Sequence, residues 1–198
     1  MTPWVLVVED AAGEAALRRL IGELAPRWTI ELVIDCGGVD RMRGELPRYR
    51  QSSYVLPHLL LADLDRHPCA GALLEAWNVR SERPRFMLRV AVREVEAWLL
   101  GDRRGVAEWL SVPAHRIPAT PETEPDPKGA LLGLGRRSRS PRFASEFCPK
   151  PGSAASQGPL YNEHVRRFVR ERWDPQAARA NAPSLDRACK RIAEWAAT

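Results

Sequence analysis

The segment HLLLADLDRH, His58 to His67, runs a string of apolar residues into two aspartates, Asp63 and Asp65. A short apolar run bounded by breakers reads as a buried parallel strand. The carboxyl end of such a strand is where an open α/β sheet presents groups to ligands. Residues two apart in an extended strand end point the same way. Two carboxylates held side by side repel and raise each other's pKa unless a cation lies between them. The pair therefore points to a metal ion, the plain alternative for a DxD sequence being a solvated loop.

Further acids repeat the arrangement. Glu9 follows the apolar run Trp4 to Val8, and Glu94 and Glu96 follow the run Phe86 to Val92. Glu14 falls in the first turn of the helical pattern after Glu9, where an acid also simply complements the helix dipole. Hard oxygen ligands of this number and kind suit Mg2+ or Mn2+ rather than zinc. The histidines (58, 67, 115, 164) form no HxxH pattern and the cysteines (36, 69, 148, 189) no CxxC pair. Neither a zinc site nor a disulfide framework is indicated.

Such acids need elements to position them. Strand-length runs at Trp4 to Val8, Trp28 to Ile34, His58 to Ala62 and Phe86 to Val92 alternate with helical patterns in GEAALRRLIGEL, Val39 to Arg50 and CAGALLEAWNV. This alternation predicts an α/β fold, a parallel sheet with right-handed crossovers. In a doubly wound order 2-1-3-4, strands 1, 3 and 4 are neighbours and their carboxyl ends share one edge. Glu9, Asp63, Asp65, Glu94 and Glu96 then converge on one crevice.

After Asp102 the character changes. Pro113, Pro118, Pro121, Pro125 and Pro127 make a loop too proline-rich for regular structure. Residues Phe143 to Pro159 read as irregular, and NEHVRRFVRERW and SLDRACKRIAEWA as two amphipathic helices. The chain thus reads as an α/β core over 1–102 with a mostly helical extension over 103–198, packed on it and carrying the proline-rich and basic loops.

At 198 residues the chain is long enough to bury a substantial core. Its net charge is +5, and all but three of its 30 basic residues are arginines, whose planar fork suits phosphate. That balance permits a nucleic-acid partner without demanding one. The opening MTPWVLVVED lacks the basic and apolar regions of a signal peptide, and no apolar run is long enough to span a bilayer. With scattered cysteines, this reads as a cytoplasmic protein with reduced thiols and no membrane association.

The ordered acids resemble the Toprim fold of topoisomerases, primases and OLD-type nucleases: a glutamate ending strand 1, DxD ending strand 3 and a further glutamate after strand 4. More closely, VVEDAAGEAALRRL, ADLD, VREVEAWLLGD and DPKGALL resemble a family of small Toprim-like proteins associated with defence against phage. The resemblance covers most of the chain and is strongest from Val5 to Asp102. It implies that Glu9, Asp63 and Asp65 hold the metal and that Glu96 or Glu94 completes the set. The implied activity is hydrolysis of nucleic-acid phosphodiesters, DNA or RNA, with Mg2+ or Mn2+, in a protein that can take a partner such as an ATPase.

In that chemistry a cation balances charge on the phosphate. Lys128, opening a helix whose amino end can face phosphate, is the candidate; the alternative is a surface lysine at a helix start. Arg136, Arg137, Arg139 and Arg142 in GRRSRSPR are placed to follow a nucleic-acid backbone, or form a solvated basic loop. Trp77, Trp98, Trp109, Trp173 and Trp195 read as core packing rather than base-stacking platforms.

A receiver-like phosphoacceptor domain also fits the first half, with Glu9 and Asp10 holding the ion and Asp63 phosphorylated. It requires a serine or threonine after strand 4 and a lysine after strand 5. Here strand 4 runs into Arg93 and Glu94, and no fifth strand ending in lysine is visible. A non-catalytic Toprim-like sensor or partner subunit is the third reading.

Overall fold

The computed structural model describes residues 2–79 and 85–197. In chain order the elements are β1 (Thr2–Val8), α1 (Ala11–Leu24), β2 (Trp28–Asp35), α2 (Val39–Ser52), β3 (His58–Asp63), α3 (Ala70–Ala76), β4 (Phe86–Ala91), α4 (Val95–Gly101) and α5 (Arg103–Leu110). Two short 3-10 turns lead to α6 (Pro127–Gly135), α7 (Pro141–Phe147), α8 (Tyr161–Glu171), α9 (Pro175–Arg179) and α10 (Pro183–Ala196).

The four strands form a parallel sheet of order β2-β1-β3-β4, the doubly wound arrangement expected from the alternation of strand and helix. The inner strands are mainly apolar because both faces are covered: Trp4 to Val8 and His58 to Ala62 are all buried. On one face Val5, Val7, Leu60, Ala62, Phe86 and Leu88 form a core with Met42, Leu46 and Tyr49 of α2 and Leu73 of α3. On the other face α1 lies close, a Cβ at Gly13 falling 3.6 Å from Val8 Cβ and 3.7 Å from Leu61 Cδ2. Asp10 starts α1 by accepting from the N–H groups of Ala12 and Gly13 at 2.9 and 3.0 Å.

The chain divides into two compact units, Met1–Val92 with Asp186–Thr198, and Arg93–Leu185. The boundary falls ten residues before the change of composition at Asp102, so α4 goes with the helical unit. The last part of α10 belongs to the sheet unit, where Trp195 lies 5.8 Å from Trp4, itself stacked on Trp28 at 4.0 Å.

The second unit is helical and built around aromatic side chains. Trp98, Phe147, Tyr161, Phe168 and Trp173 are fully buried. Trp98 Nε1 donates to Ser184 Oγ at 2.7 Å, and that hydroxyl donates to Glu122 Oε1 at 2.6 Å, so the buried indole carries a partner. The stretch expected to be irregular from Phe143 begins inside α7, which Ser140 caps and Pro141 opens. Serine before proline is a helix start as well as a loop signal.

Gly101 marks a close backbone approach within this unit: a Cβ there would meet Ala178 O at 2.6 Å. Gly101→Ala is expected to lose about 1–3 kcal/mol, as overpacked sites do, read as a lower urea midpoint. No helix among the described residues is long and apolar enough to cross a membrane.

Candidate functional site

The register of the sheet decides which acids meet. Val8, the last residue of β1, pairs with Leu61, so Glu9 and Asp63 emerge together at the carboxyl edge. The N–H of Asp63 donates to Glu9 Oε1 at 2.8 Å across 54 residues of sequence. Both side chains are half-buried.

Glu9 is electrostatically perturbed at this edge. Its carboxyl is pushed up from 4.5 to about 7, chiefly by burial. The hydrogen bond from Asp63 opposes that rise, while the charges of Asp65, Asp10 and Asp40 add to it. Asp40, in the first turn of α2, is a member of this acidic edge that the strand-end pattern does not pick out. A signal for it exists: it follows β2, whose carboxyl end lies on the same edge.

Asp65 differs from expectation in its backbone. β3 ends at Asp63, and Leu64 donates to Ala91 O at 2.8 Å before the chain turns. Asp65 has φ 48°, in the left-handed region, and its side chain is exposed. The alternation that would aim Asp63 and Asp65 alike therefore stops before Asp65. Left-handed backbone costs a non-glycine residue roughly 1–2 kcal/mol, aspartate being among those that tolerate it.

Glu14 is bound to Arg18 Nε at 2.8 Å, an ordinary i,i+4 pair. Among the described residues, no three histidine, cysteine, aspartate or glutamate side chains are gathered as a metal-holding group.

Glu94, Glu96 and Lys128 belong to the second unit, where Tyr161 joins them. Glu94 Oε2 accepts from the backbone N–H of Lys128 at 2.9 Å, and Asp126 Oδ1 accepts from Gly129 N at 2.6 Å. Two carboxylates thus already occupy N–H groups at the amino end of α6, the groups expected to face phosphate. Glu96 is buried, and Tyr161 Oη donates to its Oε1 at 2.7 Å. Lys128 Nζ stands over the Tyr161 ring, 5.0 Å from its centroid. Tyr161 lies 65 residues from Glu96, and nothing in the local sequence ties them together. Removing this hydroxyl leaves a buried carboxylate short of a donor, so Tyr161→Phe is expected to lose about 1–3 kcal/mol in chemical denaturation.

The basic segment is exposed along its length at Arg136, Arg137, Arg139 and Arg142. Arg142 Nε binds Glu146 Oε1 at 2.8 Å, and Glu146 Oε2 also meets His164 Nε2 at 2.9 Å. Both partners hold the Glu146 carboxyl below its ordinary range.

No protein-family model and no curated protein matches the chain. Among solved structures it is similar to the C-terminal region of the Burkholderia pseudomallei OLD protein, at 13% identity, over 99% of each chain, with a TM-score of 0.48.

Proposed function

We propose that the chain is a Toprim-type nuclease that hydrolyses nucleic-acid phosphodiesters with Mg2+ or Mn2+. The observation that carries this reading is the acidic edge at Glu9. A half-buried carboxylate is fixed to the Asp63 backbone, and burial first, then the charges of Asp65, Asp10 and Asp40, push its pKa upward. Crowded carboxylates of this kind are relieved by a divalent cation.

The donor set fits such an ion in kind: hard carboxylate oxygens, with no thiolate or imidazole among them. Glu9, Asp63 and Asp65 are the residues that would hold it. Bound there, a divalent ion would supply Lewis acidity and a water of lowered pKa. The chain's own part is to hold Glu9 in place through the Asp63 N–H, to collect negative charge on one sheet edge, and to keep Glu9 partly out of water. Asp10, committed to capping α1, is less available to an ion than the receiver reading requires. The described sheet also ends at β4, without the fifth strand that reading needs.

The test is incubation with single- and double-stranded DNA and RNA, in Mg2+ or Mn2+ against chelator, with Asp63→Ala as control. Metal-dependent cleavage lost in the variant supports the reading. No cleavage of any substrate, or equal cleavage by the variant, removes it.

A further inference from the structure

Between α7 and α8 the second unit carries a cleft of about 480 Å3 lined by residues including Trp109, Ser138, Ser140, Arg142, His164 and Arg167. A second cleft of about 350 Å3 shares Trp109, Phe143 and Arg167 with the first and adds Arg172. The shared walls make the two clefts neighbours along one groove. Three of the lining residues, Ser138, Ser140 and Arg142, come from the basic segment, for which backbone contact and solvation are the competing roles.

Charge separates those alternatives. From Arg136 to Arg172 the chain holds eight arginines and one lysine against three glutamates, an excess of six. The whole protein carries only +5, so all its net positive charge is concentrated in the stretch that builds this groove. The lining itself sets three arginines, 142, 167 and 172, against three glutamates: Glu146 is held by Arg142 and His164 and Glu171 by Arg170 at 2.6 Å, while Glu163 is exposed. Arg167 approaches His164 Nδ1 at 3.4 Å, a long contact to a neutral or like-charged group. No carboxylate partner is found for Arg167 or Arg172 among the described residues.

The walls are aromatic. Trp109 stacks on Phe168 at 4.2 Å and 7°, and meets Phe143 edge-on at 5.8 Å, which fixes its ring while leaving it part of the lining. Phe143 is half-buried and lines both clefts. Guanidinium groups and hydroxyls beside fixed aromatic rings match the two halves of a nucleotide, phosphate and base. A duplex keeps its bases stacked on each other and offers such walls nothing to hold.

We infer that this groove binds single-stranded nucleic acid, with Arg167 and Arg172 on phosphates and Trp109 and Phe143 against unpaired bases. The inference deepens the nuclease reading by naming the form of the substrate, and rests on that reading only for its consequence in cleavage. Binding itself is measurable in chelator, where metal-dependent cleavage is off.

The experiment is fluorescence anisotropy of the full chain with a labelled oligothymidylate of about 15 nucleotides, the same strand made abasic, and its duplex. The intact single strand should bind at least about tenfold more tightly than the abasic strand, because stacking acts per base. The duplex should bind more weakly than the intact single strand. Arg167→Ala with Arg172→Ala, both at exposed positions, should weaken binding about tenfold and lower the salt slope by about 1.4. Trp109→Phe keeps an aromatic wall and should bind nearly as wild type, whereas Phe143→Leu should remove most of the preference for intact over abasic strand. Equal binding of intact and abasic strands, duplex binding as tight as single-stranded, or wild-type affinity in the double arginine variant would each overturn the inference. If the single strand binds as described but is never cut in Mn2+, the nuclease reading fails and the groove stands. Cleavage without this binding preference removes the groove and leaves the nuclease reading in place.

Discussion

Glu9→Gln is expected to make the protein more stable above neutral pH by up to about 3 kcal/mol, and to change nothing below the ordinary carboxyl range. The sign follows from linkage. The folded-state pKa, about 7, stands above the reference 4.5. The folded protein therefore holds a proton that the unfolded chain releases between those values. The stability this contributes is complete below 4.5 and is lost as pH rises through about 7, where the folded state must carry a partly buried charge beside Asp65, Asp10 and Asp40. Glutamine keeps an oxygen for the Asp63 N–H and carries no charge, so the variant escapes the loss. Urea denaturation across this pH range, in chelator, gives the answer. Identical pH profiles for the two proteins would mean that Glu9 is solvated and that the acidic edge is not strained.

Asp63→Asn is expected to cut metal-dependent cleavage by about a thousandfold, since the ion supplies several kcal/mol of charge stabilisation and each tenfold is about 1.4 kcal/mol. The backbone N–H that holds Glu9 is unchanged by the substitution, so loss of activity would report the side-chain charge and not a collapsed edge. Melting curves should show the complementary effect. Without metal the variant should melt at or above wild type, because one repelling charge is gone. With Mn2+ at a hundred times its dissociation constant, wild type should gain about 2.7 kcal/mol and the variant much less. Equal melting under both conditions would leave ADLD as a strand end and nothing more.

The order of the sheet is legible in the sequence because its strands alternate with helices and the inner ones are apolar runs, a pattern that both-sided burial imposes. The meeting of Glu9 with Asp63 follows from that order, since acids placed just after neighbouring parallel strands share an edge. The conformation of Asp65 is not legible. Period-two alternation holds only while the backbone is extended, and the strand gives way to a left-handed residue just before it would apply. Asp40 escapes notice because it sits in a helix start, where an acid looks like dipole compensation. The gathering of Glu96, Lys128 and Tyr161 is a matter of tertiary packing in the second unit, where the partners are far apart in sequence. Trp109 does pack, as its sequence context suggests, by stacking on Phe168, but packing on one neighbour does not prevent it from lining a cleft.

The central claim is that Glu9, Asp63 and Asp65 form a divalent-ion site, and titration with Mn2+ followed by electron paramagnetic resonance tests it without needing a substrate. Wild type is expected to take up Mn2+ saturably, with the free-ion signal suppressed until the site fills, and with binding weakened as pH falls below about 7 and Glu9 gains its proton. Glu9→Gln and Asp63→Asn should each lose most of that uptake. A wild-type protein that leaves the Mn2+ signal unchanged, or variants at Glu9 and Asp63 that take up the ion as wild type does, would contradict the account.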